Sequence, residues 1–300
     1  MKILVTGAGG FVGRQMTAYF SGKGFDVTGV DRNRPAGASE KSRLQWIQAD
    51  TTKKGDWQEA VDASDVVVNL AGKNIFGRWT EKTKEEILES RVRTTENVVD
   101  AFSEGKRALL LSTSAVGFYG DRGEDLLDES EGSGDDFLAR VCVAWEAEAN
   151  KATRKGVRVA NMRFGLVMGR NGGALKTMLP AFKAFVGGPL GTGKQFMPWI
   201  HIWDLISAHA FVIDNPEISG PINCCSPGSV RNEEFAKTLG TVLGRPTIFR
   251  VPRFALAIVM GELGDMVLSS QRAVPEKLLA HGFIFAFPEL QGALEDLLLS

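Results

Sequence analysis

The chain has 300 residues, 44% hydrophobic and 24% charged, with 35 Lys and Arg against 36 Asp and Glu and a formal charge of −1. That is the composition of an ordinary globular protein with room for one large domain or two, and with no cationic surplus it excludes a dedicated nucleic-acid binder. The longest apolar stretches, such as Phe254 to Met260, fall far short of the roughly 20 residues a membrane-spanning helix needs. Three cysteines are too few for a secreted disulfide framework. Met1 and Lys2 lead directly into Ile3-Leu4-Val5, a strand with no room before it for a cleavable leader, so a cytoplasmic location is expected.

In chain order, Lys2 to Thr6, Asp26 to Val30, Val66 to Leu70, Ala108 to Ser112 and Val157 to Met162 read as buried strands of aliphatic and β-branched residues. Helical patterns fall between them at Phe11 to Gly22, Glu81 to Phe102 and Phe137 to Thr153. Such alternation predicts right-handed βαβ units and a parallel sheet covered on both faces. Beyond the breaker-rich loop Gly187 to Gly193, His201 to Asp214 reads as a helix and Gly220 to Cys225 as a returning strand. Asn232 is a good N-cap for a helix from Glu233 to Leu243, which Gly244-Arg245-Pro246 stops. Helical runs follow near Phe254 to Met266 and Pro275 to His281, and no repeat or low-complexity linker separates the parts.

The expected fold is α/β, a doubly wound parallel sheet of the Rossmann type with a smaller α/β lobe. Residues 1–170 plus 200–225 would form the dinucleotide-binding domain. Residues 171–199 plus 226–300 would form a substrate lobe over the nicotinamide end.

The first strand runs into Thr6-Gly7-Ala8-Gly9-Gly10-Phe11-Val12-Gly13 and then a helix. Gly7 suits a tight turn, Gly10 a close approach of backbone to a pyrophosphate, and Gly13 close helix–sheet packing. The helix start offers N–H groups and a positive dipole end to phosphate. Asp31 closes the second strand 18 positions past Gly13, where a carboxylate accepts from the adenosine ribose and favours NAD. Arg32 and Arg34 follow it, and a guanidinium there holds a 2′-phosphate, which favours NADP. Alternatively the arginines belong to a solvated turn. The signals conflict; NADP is the expectation and NAD the alternative.

These residues resemble the extended short-chain dehydrogenase/reductase superfamily. Asn69-Leu70-Ala71-Gly72 looks like its N-x-A-G strand end along the cofactor, Ser112-Thr113-Ser114-Ala115 like its serine motif, and His201-Ile202-Trp203-Asp204 like its H-V-x-D segment. Over essentially the whole chain the match is closest to an atypical branch labelled epimerase family protein, nucleoside-diphosphate-sugar epimerase or cell-division-inhibitor-like protein. Arg78-Trp79, Gly117-Phe118-Tyr119-Gly120, Trp145-Glu146, Arg163-Phe164-Gly165-Leu166-Val167 and Gln271-Arg272-Ala273-Val274-Pro275 carry it. The branch ends in a domain of unassigned function, here about 252–298. The resemblance places Leu70, Ala71, Gly72, Ser112, Arg163 and Val167 along the cofactor, with Phe11 and Val12 at the pyrophosphate turn. It also raises a homodimer through a helix pair.

Active superfamily members carry Y-x-x-x-K on the helix after the serine strand, the Tyr moving a proton and the Lys holding the nicotinamide ribose. Anchored on Glu146, that helix has Leu138 and Cys142 at those positions. Only Tyr119 is a phenol near the right place, as proton donor with Ser114 as orienter, or else as a loop aromatic in the cleft wall. Arg91 stands where the superfamily has Asn, and a guanidinium there can bind pyrophosphate or ribose oxygens. Glu86 lies near the adenosine end or orients Arg91. Sugar epimerases place an Arg just before the H-V-x-D segment; Phe196-Met197-Pro198-Trp199 has none. Phe118, Phe196 and Trp199 suggest an apolar substrate mouth, or else plain core packing. The three histidines and three cysteines have no metal-ligand spacing, so no metal is expected. The readings left open are an NADP-dependent oxidoreductase on a small, apolar substrate, a non-catalytic NADP(H)-binding protein, and a nucleotide-sugar epimerase.

Overall fold

A computed structural model describes residues 1–34, 43–170 and 172–299, so the proposed lobe boundary at residue 171 lies outside the described residues. Seven strands form one parallel sheet: β1 (Lys2–Thr6), β2 (Asp26–Asp31), β3 (Leu44–Gln48), β4 (Val66–Asn69), β5 (Leu109–Ala115), β6 (Arg158–Phe164) and β7 (Gly220–Cys224). Their order is β7-β6-β5-β4-β1-β2-β3. The chain reverses its direction of travel across the sheet between β1 and β4, and that switch point opens a crevice at the carboxyl ends of the strands.

Alternation sorts the strand residues between two faces. Ile3, Val5, Leu109 and Leu111 join Met16 and Phe20 of α1 (Phe11–Gly22) and Leu205 and Val212 of α6 (Ile202–Asp214). On the other face Leu4, Val67 and Leu110 meet Trp57 and Val61 of α2 (Trp57–Asp62), Val98 and Val99 of α3 (Glu81–Ala101) and Ala149 of α4 (Phe137–Asn150). At the carboxyl end the apolar rows give way to two polar ones in register. Thr6 pairs with Asn69, Asn69 with Ser112 and Ser112 with Asn161. One pleat further on, Ser114, Arg163 and Asn223 stand side by side on β5, β6 and β7.

A separate core unites α5 (Gly173–Lys183), α7 (Asn232–Leu243) and α10 (Leu290–Leu299) through Leu175, Phe182, Phe235, Leu239, Leu290 and Leu294. Two buried groups at the start of α6 tie this region to the sheet. The Asp204 carboxylate accepts from the N–H groups of Ala286 (2.8 Å) and Phe287 (2.9 Å). His201 caps α6 by accepting from the Trp203 N–H, and its ring stacks on Phe287.

The strands and helices read from the sequence lie close to where the pattern puts them, but α2, α5 and the helix Leu290–Leu299 have no counterpart in that reading, and three further differences stand out. Leu44–Gln48 escapes an apolar-run criterion because it is an edge strand buried only at Leu44. The run from Phe254 to Met266 is two helices, α8 (Arg253–Met260) and α9 (Glu262–Met266), broken at Gly261 with φ +60°. Asn232 lies inside α7 rather than capping it, because its side-chain oxygen accepts instead from the Leu190 N–H at 2.7 Å. Among the described residues no helix is long and apolar enough to cross a membrane.

His209 on α6 is fully buried, donates Nδ1–H to the Leu205 carbonyl, and leaves Nε2 with no partner among the described residues. Burial holds its pKa down at about 4, against an ordinary value of 6.5. The unfolded chain therefore takes up a proton first, and stability is complete above pH 6.5 and lost as pH falls towards 4. At pH 5 this residue should remove about 2 kcal/mol of its contribution at pH 7. Denaturant titrations at the two pH values check this: His209→Leu should lose that share of the acid sensitivity.

Candidate functional site

Gly7 takes φ +64°, and a Cβ there would stand 3.0 Å from the backbone of Ala71 just past β4. A Cβ on Gly13 would collide with the Gly7 carbonyl oxygen. The turn thus packs against itself and against the far side of the switch point, which only glycine permits. Gly10 ends the turn, and α1 starts with no side-chain cap and no acidic residue in its first turn. The first-turn N–H groups of Phe11, Val12 and Gly13 have no acceptor within the helix. The Phe11 ring packs on the backbone of Gly169, Gly172 and Gly173, where any side chain would strike it.

At the end of β2, Asp31 accepts from the Gly9 N–H with one oxygen (2.9 Å) and from the Asn33 N–H with the other (3.2 Å). Its carboxylate braces the glycine turn. Arg32 and Arg34 are exposed immediately after it.

A chain of buried hydrogen bonds fixes the end of β4. The Thr6 hydroxyl donates to the Asn69 side-chain oxygen (2.7 Å) and accepts from the N–H groups of Leu70 and Ala71. Asn69 and the Trp145 indole both donate to the Thr95 hydroxyl at 2.9 Å, which donates to the Arg91 carbonyl. Every member is satisfied, so the strand end is held rigidly.

Arg91 reaches from α3 over this end. Its guanidinium donates to the Ile87 carbonyl, lies 5.1 Å from the Trp145 ring centre, and would be 3.2 Å from a Cβ on Gly72. Burial lowers its pKa to about 10, and among the described residues no carboxylate pairs with it. Glu86 is ion-paired with Lys73 and does not orient Arg91. Near by on β5, the buried Ser112 hydroxyl has no partner among the described residues.

The second polar row is a closed network. Glu146 of α4 receives two bonds from Arg163 (2.8 and 2.9 Å) and one from the Ser114 hydroxyl (2.6 Å). Arg163 also donates to the Tyr119 hydroxyl, which donates to the Asn223 side-chain oxygen with the Asp128 carbonyl also in reach. Tyr119 is wholly buried, and burial, opposed by Arg163, pushes its pKa up to about 12. Phe118 stacks on the Arg163 guanidinium at 3.5 Å.

On α4, Leu138 faces the turn at Gly117, and Cys142 is buried with its pKa raised to about 11. Trp199 belongs to the interior core with its indole N–H on the Gly228 carbonyl, and Phe196 is flanked by Arg231 and Arg272 at 4.5 and 5.1 Å. Neither ring forms an open mouth. The two cations come from far along the chain, so local sequence around Phe196 does not announce them. Val167 lies in the short strand Leu166–Gly169, paired with Ile200 and packed on the main core.

An uncapped helix start, a glycine turn braced across the switch point and, among the described residues, a guanidinium without a carboxylate and a hydroxyl without a partner fit a dinucleotide. Fold and site together define a Rossmann-type protein of the short-chain dehydrogenase/reductase class. The NAD dependent epimerase/dehydratase family model matches residues 3–225, and a domain of unknown function, DUF1731, matches residues 251–297. The chain is 38% identical to the epimerase family protein SDR39U1 homolog, chloroplastic, of Arabidopsis thaliana, covering 99% of this chain and 87% of that one. It is 36% identical to epimerase family protein YfhF of Bacillus subtilis, covering 99% and 98%. The crystal structure of human epimerase family protein SDR39U1 (isoform 2) with NADPH is similar at a TM-score of 0.86, with 33% identity and 99% of each chain covered. This chain therefore belongs to the NAD dependent epimerase/dehydratase family, in its SDR39U1- and YfhF-like branch with a C-terminal DUF1731 region.

Removing one partner of the Arg163–Glu146 pair leaves the other charge buried. Glu146→Ala should cost about 3–5 kcal/mol in denaturant unfolding. Glu146→Leu combined with Arg163→Met should cost less than either single change, because no charge is then stranded.

Proposed function

We propose that this protein binds NADP(H) across the switch point, and that its site holds the dinucleotide without the tyrosine–lysine pair of its active relatives. The observation that carries this reading is the start of α1, uncapped and free of acidic residues beside the self-packed glycine turn. NADP over NAD is supported by Asp31, whose two oxygens are already engaged, one by the Gly9 N–H of the glycine turn and the other by the Asn33 N–H of its own turn. Arg32 lies next to it for a 2′-phosphate, and a relative at 33% identity was crystallised with NADPH. Gly7, Gly10 and Gly13 shape the phosphate turn, Leu70 to Gly72 the floor, and Ser112 offers a hydroxyl.

When bound, NADPH would supply a hydride and NADP+ would accept one. Ser114 and Tyr119 shape the wall of the nicotinamide end, their hydroxyls committed to Glu146 and to Asn223. A phenol donating inward, with its pKa raised by burial, is a poor proton donor.

A second reading, an oxidoreductase acting on a small apolar substrate, is favoured by one cluster. Ile75, Leu138, Met260 and Met266 from three parts of the chain gather around Trp79 and Ile87. Loss of deuterium from 4-deuterated NADPH to such a substrate would support it.

Calorimetry on protein stripped of nucleotide should find NADPH bound tightly and NADH weakly. Arg32→Ala should weaken NADPH by about 1–3 kcal/mol and leave NADH unchanged. Equal affinity for the two would return the site to NAD, and binding of neither would end the proposal. Tyr119→Phe should keep NADPH affinity.

A further inference from the structure

We infer that the face formed by the turn after α5 and the segment from Arg245 into α8 docks on the surface of a bilayer rich in anionic phospholipid. The inference is independent of the NADP(H) reading and uses none of the residues assigned to the dinucleotide.

Large apolar side chains left in water are not spread evenly over this molecule. Of fourteen among the described residues, six are Phe185, Val186, Ile248, Phe249, Phe254 and Ile258. The chain brings the first four together. Gly188 lies against the Phe249 carbonyl, Leu190 pairs with Val251, and backbone hydrogen bonds of 2.8 Å join Val251 to Pro189 and Gly191. The segment 245–251 therefore runs beside 185–191. From it α8 continues as Arg-Phe-Ala-Leu-Ala-Ile-Val-Met, with no polar side chain after its first residue. A helix apolar on every side is ordinarily enclosed. Here only Leu256 is buried among the described side chains, while Phe254 and Ile258, one turn apart, are 69% and 79% exposed.

Phe185 adds a second observation. It takes φ +63°, the only described residue other than glycine in the left-handed region. The Val186 N–H returns to the Ala181 carbonyl and the Phe185 N–H to the Phe182 carbonyl. That is the helix-ending turn in which the left-handed position normally takes glycine. A bulky ring there is strained, and no burial offsets the strain. The ring is half exposed, with the Arg245 guanidinium 4.5 Å from its centre.

Charge decides what covers the face. Residues 173–191 and 244–260 hold Lys176, Lys183, Arg245, Arg250 and Arg253 and no Asp or Glu, in a chain whose formal charge is −1. Among the described residues only Glu233 and Asp265 reach these cations, on Arg250 and Arg253. A second copy brought up across a two-fold axis would set the cations against themselves. A layer of anionic headgroups neutralises them while the exposed rings and branched side chains enter the acyl boundary.

The test sediments the full chain with vesicles of phosphatidylcholine alone and of phosphatidylcholine with about one-third phosphatidylglycerol, at about 0.1 M salt. The protein should pellet with the mixed vesicles and stay in solution with phosphatidylcholine. Two combined variants, Ile248→Ser with Phe254→Ser and Ile258→Ser, and Lys176→Glu with Lys183→Glu and Arg245→Glu, should each weaken partitioning at least about tenfold. All six side chains are exposed, so melting curves should match the wild type. Should either combined variant melt early, Phe254→Ser alone is read the same way. Ile284→Ser, which alters an exposed apolar side chain outside both segments, should pellet as the wild type does. The proposal is overturned by no pelleting with mixed vesicles, by equal pelleting with phosphatidylcholine, by variants that pellet unchanged, or by the same loss from Ile284→Ser. A concentration-dependent dimer that the serine variant abolishes, with vesicles unbound, assigns the face to a second copy and also overturns it.

Discussion

The pair formed by Arg163 and Glu146 holds the carboxyl ends of β5, β6 and β7 in shape. Two charges taken out of water are tolerated only when their remaining hydrogen-bonding capacity is met. Here Ser114 completes Glu146, while Tyr119 and Phe118 complete Arg163. Because Ser114, Arg163 and Asn223 share one register across β5, β6 and β7, the pair binds helix α4 to three strands at once. The short turn Val116–Tyr119 is drawn inward with it, and its phenol becomes interior structure.

That arrangement explains how a member of a family built around a tyrosine–lysine pair keeps an ordered site without one. Leu138 and Cys142 leave an apolar stretch of α4 against the crevice. The polar groups that would otherwise be exposed to it are drawn behind the surface into a satisfied network. Polarity at the crevice itself comes from β5 and α3, through Ser112 and Arg91, and from the backbone N–H groups at the start of α1.

The frame of the molecule was legible in the sequence because its signals are local. Buried parallel strands read as short aliphatic runs, and the spacing of Gly7, Gly10 and Gly13 reports contacts within one turn. The placing of Leu138 and Cys142 where the superfamily has its tyrosine and lysine comes instead from the resemblance, with the helix anchored on Glu146. What could not be read depends on residues brought together from afar. The phenol of Tyr119 meets Asn223 across 104 residues, and Arg231 and Arg272 converge on Phe196. Asp31 was expected to meet a ribose, but the structure also joins it to Gly9, a partner visible only once β1 and β2 lie side by side. Leu44–Gln48 escapes for a different reason: as an edge strand it is buried only at Leu44 and lacks the continuous apolar run that marks a central one.

The link between Asp204 and the chain at Ala286 and Phe287 bears on modularity. The sequence divides into two stretches that match separate family models, which invites the view that the second is an appended unit. Yet the Asp204 carboxylate lies in the first stretch and takes its backbone donors from the second. Leu290 and Leu294 likewise cover α7. A chain ending before residue 286 would strand a buried carboxylate and bare an apolar helix face. The C-terminal region is thus a structural part of the fold it follows, and each stretch completes buried groups of the other.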